Sequence, residues 1–123
     1  MQISFDHLSL SARQPEVMRD FLMALLGLTL GRRPRLGFNG YFLFAGDKDV
    51  IHIFANHQAP ATTEQEQNIV HHVSFSSDNY QETMQRIAKL DLAYSMGEVP
   101  GTLMKQIFVR GPENLIIEIQ AQP

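Results

Sequence analysis

Hydrophobic and polar positions along the chain fall into two successive runs with the same order. Residues 2–11 alternate with a period of two and predict a strand. From Ser11 or Ala12 to Leu26 the pattern turns helical, with Val17, Met18, Phe21, Leu22, Leu25 and Leu26 at helical spacing. Pro15 fits the first turn of that helix and Gly27 is placed to end it. Residues 28–35, 40–45 and 50–55 read as three strands, the last two joined by the turn residues Gly46-Asp47-Lys48-Asp49. A polar stretch follows, and then the order repeats: a strand over 69–76, a helix capped by Ser77 or Asp78 and running to about Leu90, and strands over 92–98, 104–110 and 115–120. Pro100-Gly101 and the run 111–114 read as turns. The chain is expected to be one α+β domain over 1–123, built from two βαβββ modules, 1–56 and 69–123, joined by a linker at 57–68.

The repeat extends to side chains. Asp6-His7-Leu8-Ser9-Leu10-Ser11 matches His71-His72-Val73-Ser74-Phe75-Ser76 at an offset of 65 residues. At nearly the same offset, Val50-Ile51-His52-Ile53-Phe54 matches Ile116-Ile117-Glu118-Ile119-Gln120. Successive side chains of a strand point to opposite faces. In all four strands the apolar residues therefore share one face, which must pack on the helices. His7, His52, His72 and Glu118 share the other face with small hydroxyl residues. A curved sheet from each half would enclose a polar-lined cavity on that face.

A carboxylate between two isoleucines is costly unless it is paired or metal-bound, so Glu118 asks for a partner. Neutral imidazoles with one carboxylate suit Zn, Ni, Co, Fe or Mn, and two His with one carboxylate match the facial triad of non-haem iron. A single strand histidine is more often packing than ligand; four donors at equivalent positions reverse that judgement. His52 is the member most open to contacting substrate instead. His71, on the opposite parity, and His57, in the linker, are not expected to be ligands. Tyr41, read on the cavity parity beside Leu43, is a candidate to orient substrate or donate a proton. Lys105 and Arg110 could anchor an anionic group, with Lys105 the more apt to face solvent.

Composition narrows the setting. At 123 residues the chain can bury a sizeable core. A net charge of -3 without a basic stripe gives no expectation of nucleic acid. Arg32, Arg33 and Arg35 form the only basic cluster and read as a solvated strand or loop. The absence of cysteine excludes disulfides and thiolate sites and fits a cytoplasmic protein. No apolar run suggests a signal peptide or membrane span.

The whole chain resembles the vicinal oxygen chelate superfamily, which includes glyoxalase I, bleomycin and fosfomycin resistance proteins, methylmalonyl-CoA epimerase and extradiol dioxygenases. The resemblance rests on Phe5-Asp6-His7-Leu8-Ser9-Leu10, Leu25-Leu26-Gly27-Leu28, His71-His72-Val73-Ser74-Phe75, and the run from Phe108-Val109-Arg110-Gly111-Pro112 to Ile117-Glu118-Ile119. It implies two βαβββ modules pairing into a cupped eight-stranded, barrel-like sheet, with helices outside and a metal inside. It implies ligands at His7, His52, His72 and Glu118, a small-molecule substrate, and a homodimer in which the paired modules come from one chain or two.

The implied activity is that of a metal-dependent glyoxalase-like lyase or isomerase acting on a small oxygen-chelating substrate, with Glu118 as the base. The alternatives are an extradiol-type Fe(II) dioxygenase on His7, His72 and Glu118, and a non-catalytic ligand-sequestering protein of the bleomycin-resistance kind. Gly111-Pro112 and Glu113-Asn114 replace the family's usual Asp-Pro and Gly-Asn turn. His52 stands where glyoxalase I commonly has a carboxylate and the epimerase a glutamine, which leaves no second carboxylate as a proton shuttle and points away from those two activities.

Overall fold

The computed structural model describes residues 1–58 and 70–123, so most of the expected linker lies outside the described residues. The chain divides into two compact units, Met1–Ala61 and Thr62–Pro123. The first holds β1 (Leu8–Ala12), α1 (Pro15–Leu26), β2 (Thr29–Gly31), β3 (Gly40–Ala45) and β4 (Lys48–Ala55). The second holds β5 (Val73–Ser77), α2 (Tyr80–Lys89), β6 (Tyr94–Glu98), β7 (Lys105–Arg110), a short 3-10 turn (Pro112–Asn114) and β8 (Ile116–Ala121). Both units are βαβββ, as the repeated pattern predicts. The eight strands form two four-stranded sheets, ordered β1-β4-β3-β2 and β5-β8-β7-β6, rather than one hydrogen-bonded sheet of eight.

In each sheet the first strand runs parallel to the last, and the other neighbours are antiparallel. The core follows the parity rule. In the first unit Leu43, Ile51 and Ile53 of the sheet are buried together with Met18, Leu22 and Leu25 of α1. In the second, Ile107, Val109, Ile117 and Ile119 are buried together with Ile87 of α2. Full burial of one such side chain contributes about 1.5–3 kcal/mol.

α1 starts at Pro15 and stops at Gly27, whose left-handed φ of 68° lets its N–H reach the Met23 carbonyl at 2.9 Å. α2 is capped by Asn79, one or two residues beyond the expected cap; its side chain accepts the Glu82 N–H at 2.9 Å. Among the described residues, no helix is long and apolar enough to cross a membrane.

The two hairpins are built differently. Ala45 faces Lys48 across a two-residue turn in which Gly46 takes a φ of 64°. The ladder then slips: Leu43 pairs with Ile51, but Phe44 pairs with Asp49, which leaves Val50 as a bulge. In the second unit Arg110 faces Ile116, and the intervening residues form the open loop with its 3-10 turn. The chain enters β1 and β5 later than its alternation suggests. Residues 1–7 and 70–72 precede the ladders, and Ile3, Phe5 and Val70 are exposed.

Candidate functional site

Each unit builds a pair of donors on the sheet face opposite its helix. In the first, Ser9 and Phe42 flank His52 in register, so the three share a face. His52 is only 7% exposed. The Phe42 ring stacks on it at 3.5 Å, and the His7 ring stacks on it at 3.7 Å. Both contacts are near-parallel and an imidazole has two faces, so His52 is sandwiched between them.

Two carboxylates hold these imidazoles. Asp6 lies 2.6 Å from Nδ1 of His7, and Asp49 lies 2.5 Å from Nε2 of His52. Lys48 donates to both, at 2.9 Å to Asp6 and 3.4 Å to Asp49, and closes the ring. The His7 hydrogen bond, then Lys48, draws Asp6 down to about 2. The hydrogen bond from His52 is the main cause that lowers Asp49. Both carboxylates are thus acceptors at neutral pH, and the imidazole nitrogens facing them carry the protons. That tautomer leaves Nε2 of His7 and Nδ1 of His52 with free lone pairs, the arrangement in which carboxylates orient metal-binding histidines.

The second unit repeats the rung with one exchange. Ser74 and Phe108 flank Glu118 in register, as Ser9 and Phe42 flank His52. Glu118 is 3% exposed. Its Oε2 accepts from the side-chain amides of Gln106 and Gln120, each at 3.2 Å. Its Oε1 lies 3.2 Å from Nε2 of His72. Phe108 meets the His72 ring edge-on at 5.6 Å. His71 Nδ1 lies 2.9 Å from Nδ1 of His72.

The structure therefore brings His7 together with His52, and His72 together with Glu118. Among the described residues no group of three or more His, Cys, Asp or Glu side chains stands in a metal-holding arrangement; each unit presents its donors as a pair. The donor chemistry of the pairs fits a divalent cation. Two ligand atoms at about 2.0–2.2 Å from a common ion lie about 2.8–3.6 Å apart for angles between octahedral and tetrahedral, and the His72–Glu118 separation of 3.2 Å falls in that range.

Tyr41 requires a correction. It pairs with Ile53 and shares the apolar face with Leu43, and its hydroxyl donates to Oε1 of Glu16 in α1 at 3.1 Å. The Arg19 guanidinium covers its ring at 4.7 Å. Burial, then the Glu16 contact, raises its phenol above the ordinary range. Tyr41 belongs to the helix side of the sheet, not the face of His52. Tyr41→Phe is accordingly expected to change turnover by less than about twofold, since only an exposed hydrogen bond is lost. A tenfold loss in steady-state rate would restore Tyr41 to the site.

Lys105 is ion-paired with Glu98. Of the arginine cluster, Arg32 and Arg35 are exposed, but Arg33 is half-buried over Phe38 and Phe42 and donates to the Phe38 carbonyl at 2.8 Å. His57 is exposed, as its place in the linker suggests. Sequence reasoning missed Asp49, which strict alternation puts with Ile51 and Ile53; the Val50 bulge turns it toward His52. Gln106 and Gln120 carried a legible signal, since each sits two residues from a residue of the Glu118 rung.

Comparisons with known proteins agree with the topology. Solved structures with the same fold include a glyoxalase/dioxygenase from Nostoc punctiforme (TM-score 0.80, 16% identity, 98% of this chain and 91% of that one). They also include a glyoxylase/bleomycin resistance protein/dioxygenase domain from Frankia sp. (TM-score 0.74, 19% identity, 100% and 94%). A third is the fosfomycin resistance protein FosX from Listeria monocytogenes (TM-score 0.74, 16% identity, 100% and 96%). Among curated proteins nothing matches the sequence. The profile of one family covers residues 4–119. The chain belongs to the glyoxalase/bleomycin resistance protein/dioxygenase superfamily.

Proposed function

We propose that this protein is a metal-dependent lyase or isomerase of the glyoxalase kind, acting on a small substrate with two neighbouring oxygens. The observation that carries this reading is Glu118, a carboxyl group buried to 3% exposure whose only ion-pair partner among the described residues is His72. Burying a carboxylate without a cation is costly, and a ligand role accounts for it.

Nε2 of His7 and Nδ1 of His52 in the first unit, and His72 and Glu118 in the second, are the donors that the chain would offer a divalent ion such as Zn, Ni, Co, Fe or Mn. Bound there, it would supply Lewis acidity toward the paired substrate oxygens. The chain's own part is threefold. Asp6 and Asp49 hold the imidazoles in the tautomers that leave those nitrogens free. The amides of Gln106 and Gln120 fix Oε2 of Glu118 and leave Oε1 as the oxygen that would act on the metal or, off it, as the base toward a substrate C–H. The stacked rings of Phe42 and His7 keep water from His52.

One observation favours a second reading. His52 is bonded to Asp49 and packed between two rings. If it serves as packing, the donors reduce to His7, His72 and Glu118, a facial triad suited to Fe(II) and extradiol cleavage. Location in the cytoplasm and assembly as a homodimer complete the proposal.

Elemental analysis of protein purified without chelator is expected to find about one divalent ion per chain. Turnover of a hemithioacetal with added Ni, Zn or Co supports the lyase reading, and oxygen uptake with catechols and Fe(II) supports the dioxygenase. Absence of retained metal, with no gain on adding it back, would leave ligand sequestration.

A further inference from the structure

The second unit holds a cavity of about 450 Å³ lined in part by His71, Tyr94, Ser95, Phe108, Arg110 and Ile116. That volume lies in the range of small-ligand sites, about 300–1,000 Å³. Strand alternation puts four of the lining side chains on the donor face. Phe108 pairs with Glu118, Ser95 with Phe108, and Arg110 with Ile116, so Ser95, Phe108, Arg110 and Ile116 share the side of the sheet that carries the carboxylate. His71 adds its ring, which is bonded to His72.

The chemistry of this wall is uneven. Phe108 and Ile116 offer apolar and aromatic surface, while Tyr94 and Val109, paired with each other, belong to the opposite face by register. The one cationic side chain in the lining is Arg110. Its guanidinium donates to the side-chain oxygen of Asn114, at the end of the 3-10 turn, and has no carboxylate partner among the described residues. A guanidinium has five donors in a fork that matches a carboxylate, so Arg110 keeps most of its capacity for a ligand. Lys105, on the same strand, is already taken by Glu98.

We propose that this cavity binds an aromatic carboxylate, its acid group on Arg110 and its ring against Phe108 and Ile116. The Arg110–Ile116 pair is two residues along the ladder from the Phe108–Glu118 pair, a displacement of about 7 Å. A benzene ring spans most of that distance. Glu118 and His72 are not among the residues that line the cavity, so the acid and ring contacts stand independently of the metal-dependent reading above.

The probes are 3,4-dihydroxybenzoate and catechol, titrated by calorimetry into the full chain, once freed of metal by chelator and once loaded with Zn or Fe(II). Metal-free protein should bind the acid more tightly than catechol. Arg110→Gln should weaken the acid about tenfold or more, the loss of a charge-assisted fork, and leave catechol unchanged, while Arg110→Lys should restore part of the difference. Ser95→Phe, which fills the cavity from an exposed position, should remove binding of both, with circular dichroism confirming the fold. Equal binding of the acid by wild type and Arg110→Gln, or no binding by either metal-free or loaded protein, would overturn the proposal. Metal content is measured on the same samples. Arg110-dependent binding without metal retention would uphold the cavity and defeat the metal reading; retention without such binding would do the reverse.

Discussion

Glu118→Gln is expected to abolish metal retention and lower turnover by more than about 100-fold, since loss of even an outer partner of a metal ligand commonly costs 10–100-fold. The substitution keeps the shape of the side chain and both amide neighbours, Gln106 and Gln120. It removes the charge and turns one acceptor oxygen, the one facing His72, into an NH2 donor. The same change should leave the metal-free protein at least as stable as wild type, because a buried carboxylate is replaced by a neutral amide. Thermal melts separate the two effects. A hundredfold excess of metal over its dissociation constant adds about 2.7 kcal/mol, a rise on the order of 10 °C for a chain of this size. Wild type should show that rise and Glu118→Gln should not. Equal rises in the two proteins would remove Glu118 from the ligand set.

His52→Ala should be the most destabilising change among the donors, by about 2–3 kcal/mol, because it opens a void where a ring is packed on both faces. It also leaves Asp49 with Lys48 alone. The melting temperature should fall by roughly 10 °C. His7→Ala, at a one-third exposed side chain ahead of β1, should cost less than about 1 kcal/mol. Both are measured in chelator, so that the comparison reports packing and not metal. Equal losses for the two variants would show that the sandwich does not support the unit.

Much of this was legible in the sequence because period-two alternation is strict where one face of a sheet is buried. Ile51 and Ile53 against His52, and Ile117 and Ile119 against Glu118, fixed which face each unit presents. The 65-residue repeat predicted that both units would share one topology, and they do. Alternation failed wherever the ladder is broken or absent. The bulge at Val50 reverses the side of Asp49, and His71 lies ahead of β5, where no pairing partner dictates its direction. Tyr41 is a different case. Its neighbour Leu43 already marked the apolar face, so the same rule, applied to β3, points Tyr41 toward α1. Asp6 was visible beside His7, yet its role depends on Lys48 reaching back from the start of β4, a contact across 42 residues of chain.

The hairpins of the two units cover equal lengths of chain between aromatic and donor: ten residues from Phe42 to His52, and ten from Phe108 to Glu118. One spends them on a tight reversal and a slipped rung, the other on a wide tip that carries Arg110 and Asn114. Innovation in what this scaffold recognises can therefore concentrate in the tips. A lineage could rewrite either of them, trading charge or bulk, while the paired histidines and carboxyl group keep their places on the rungs below.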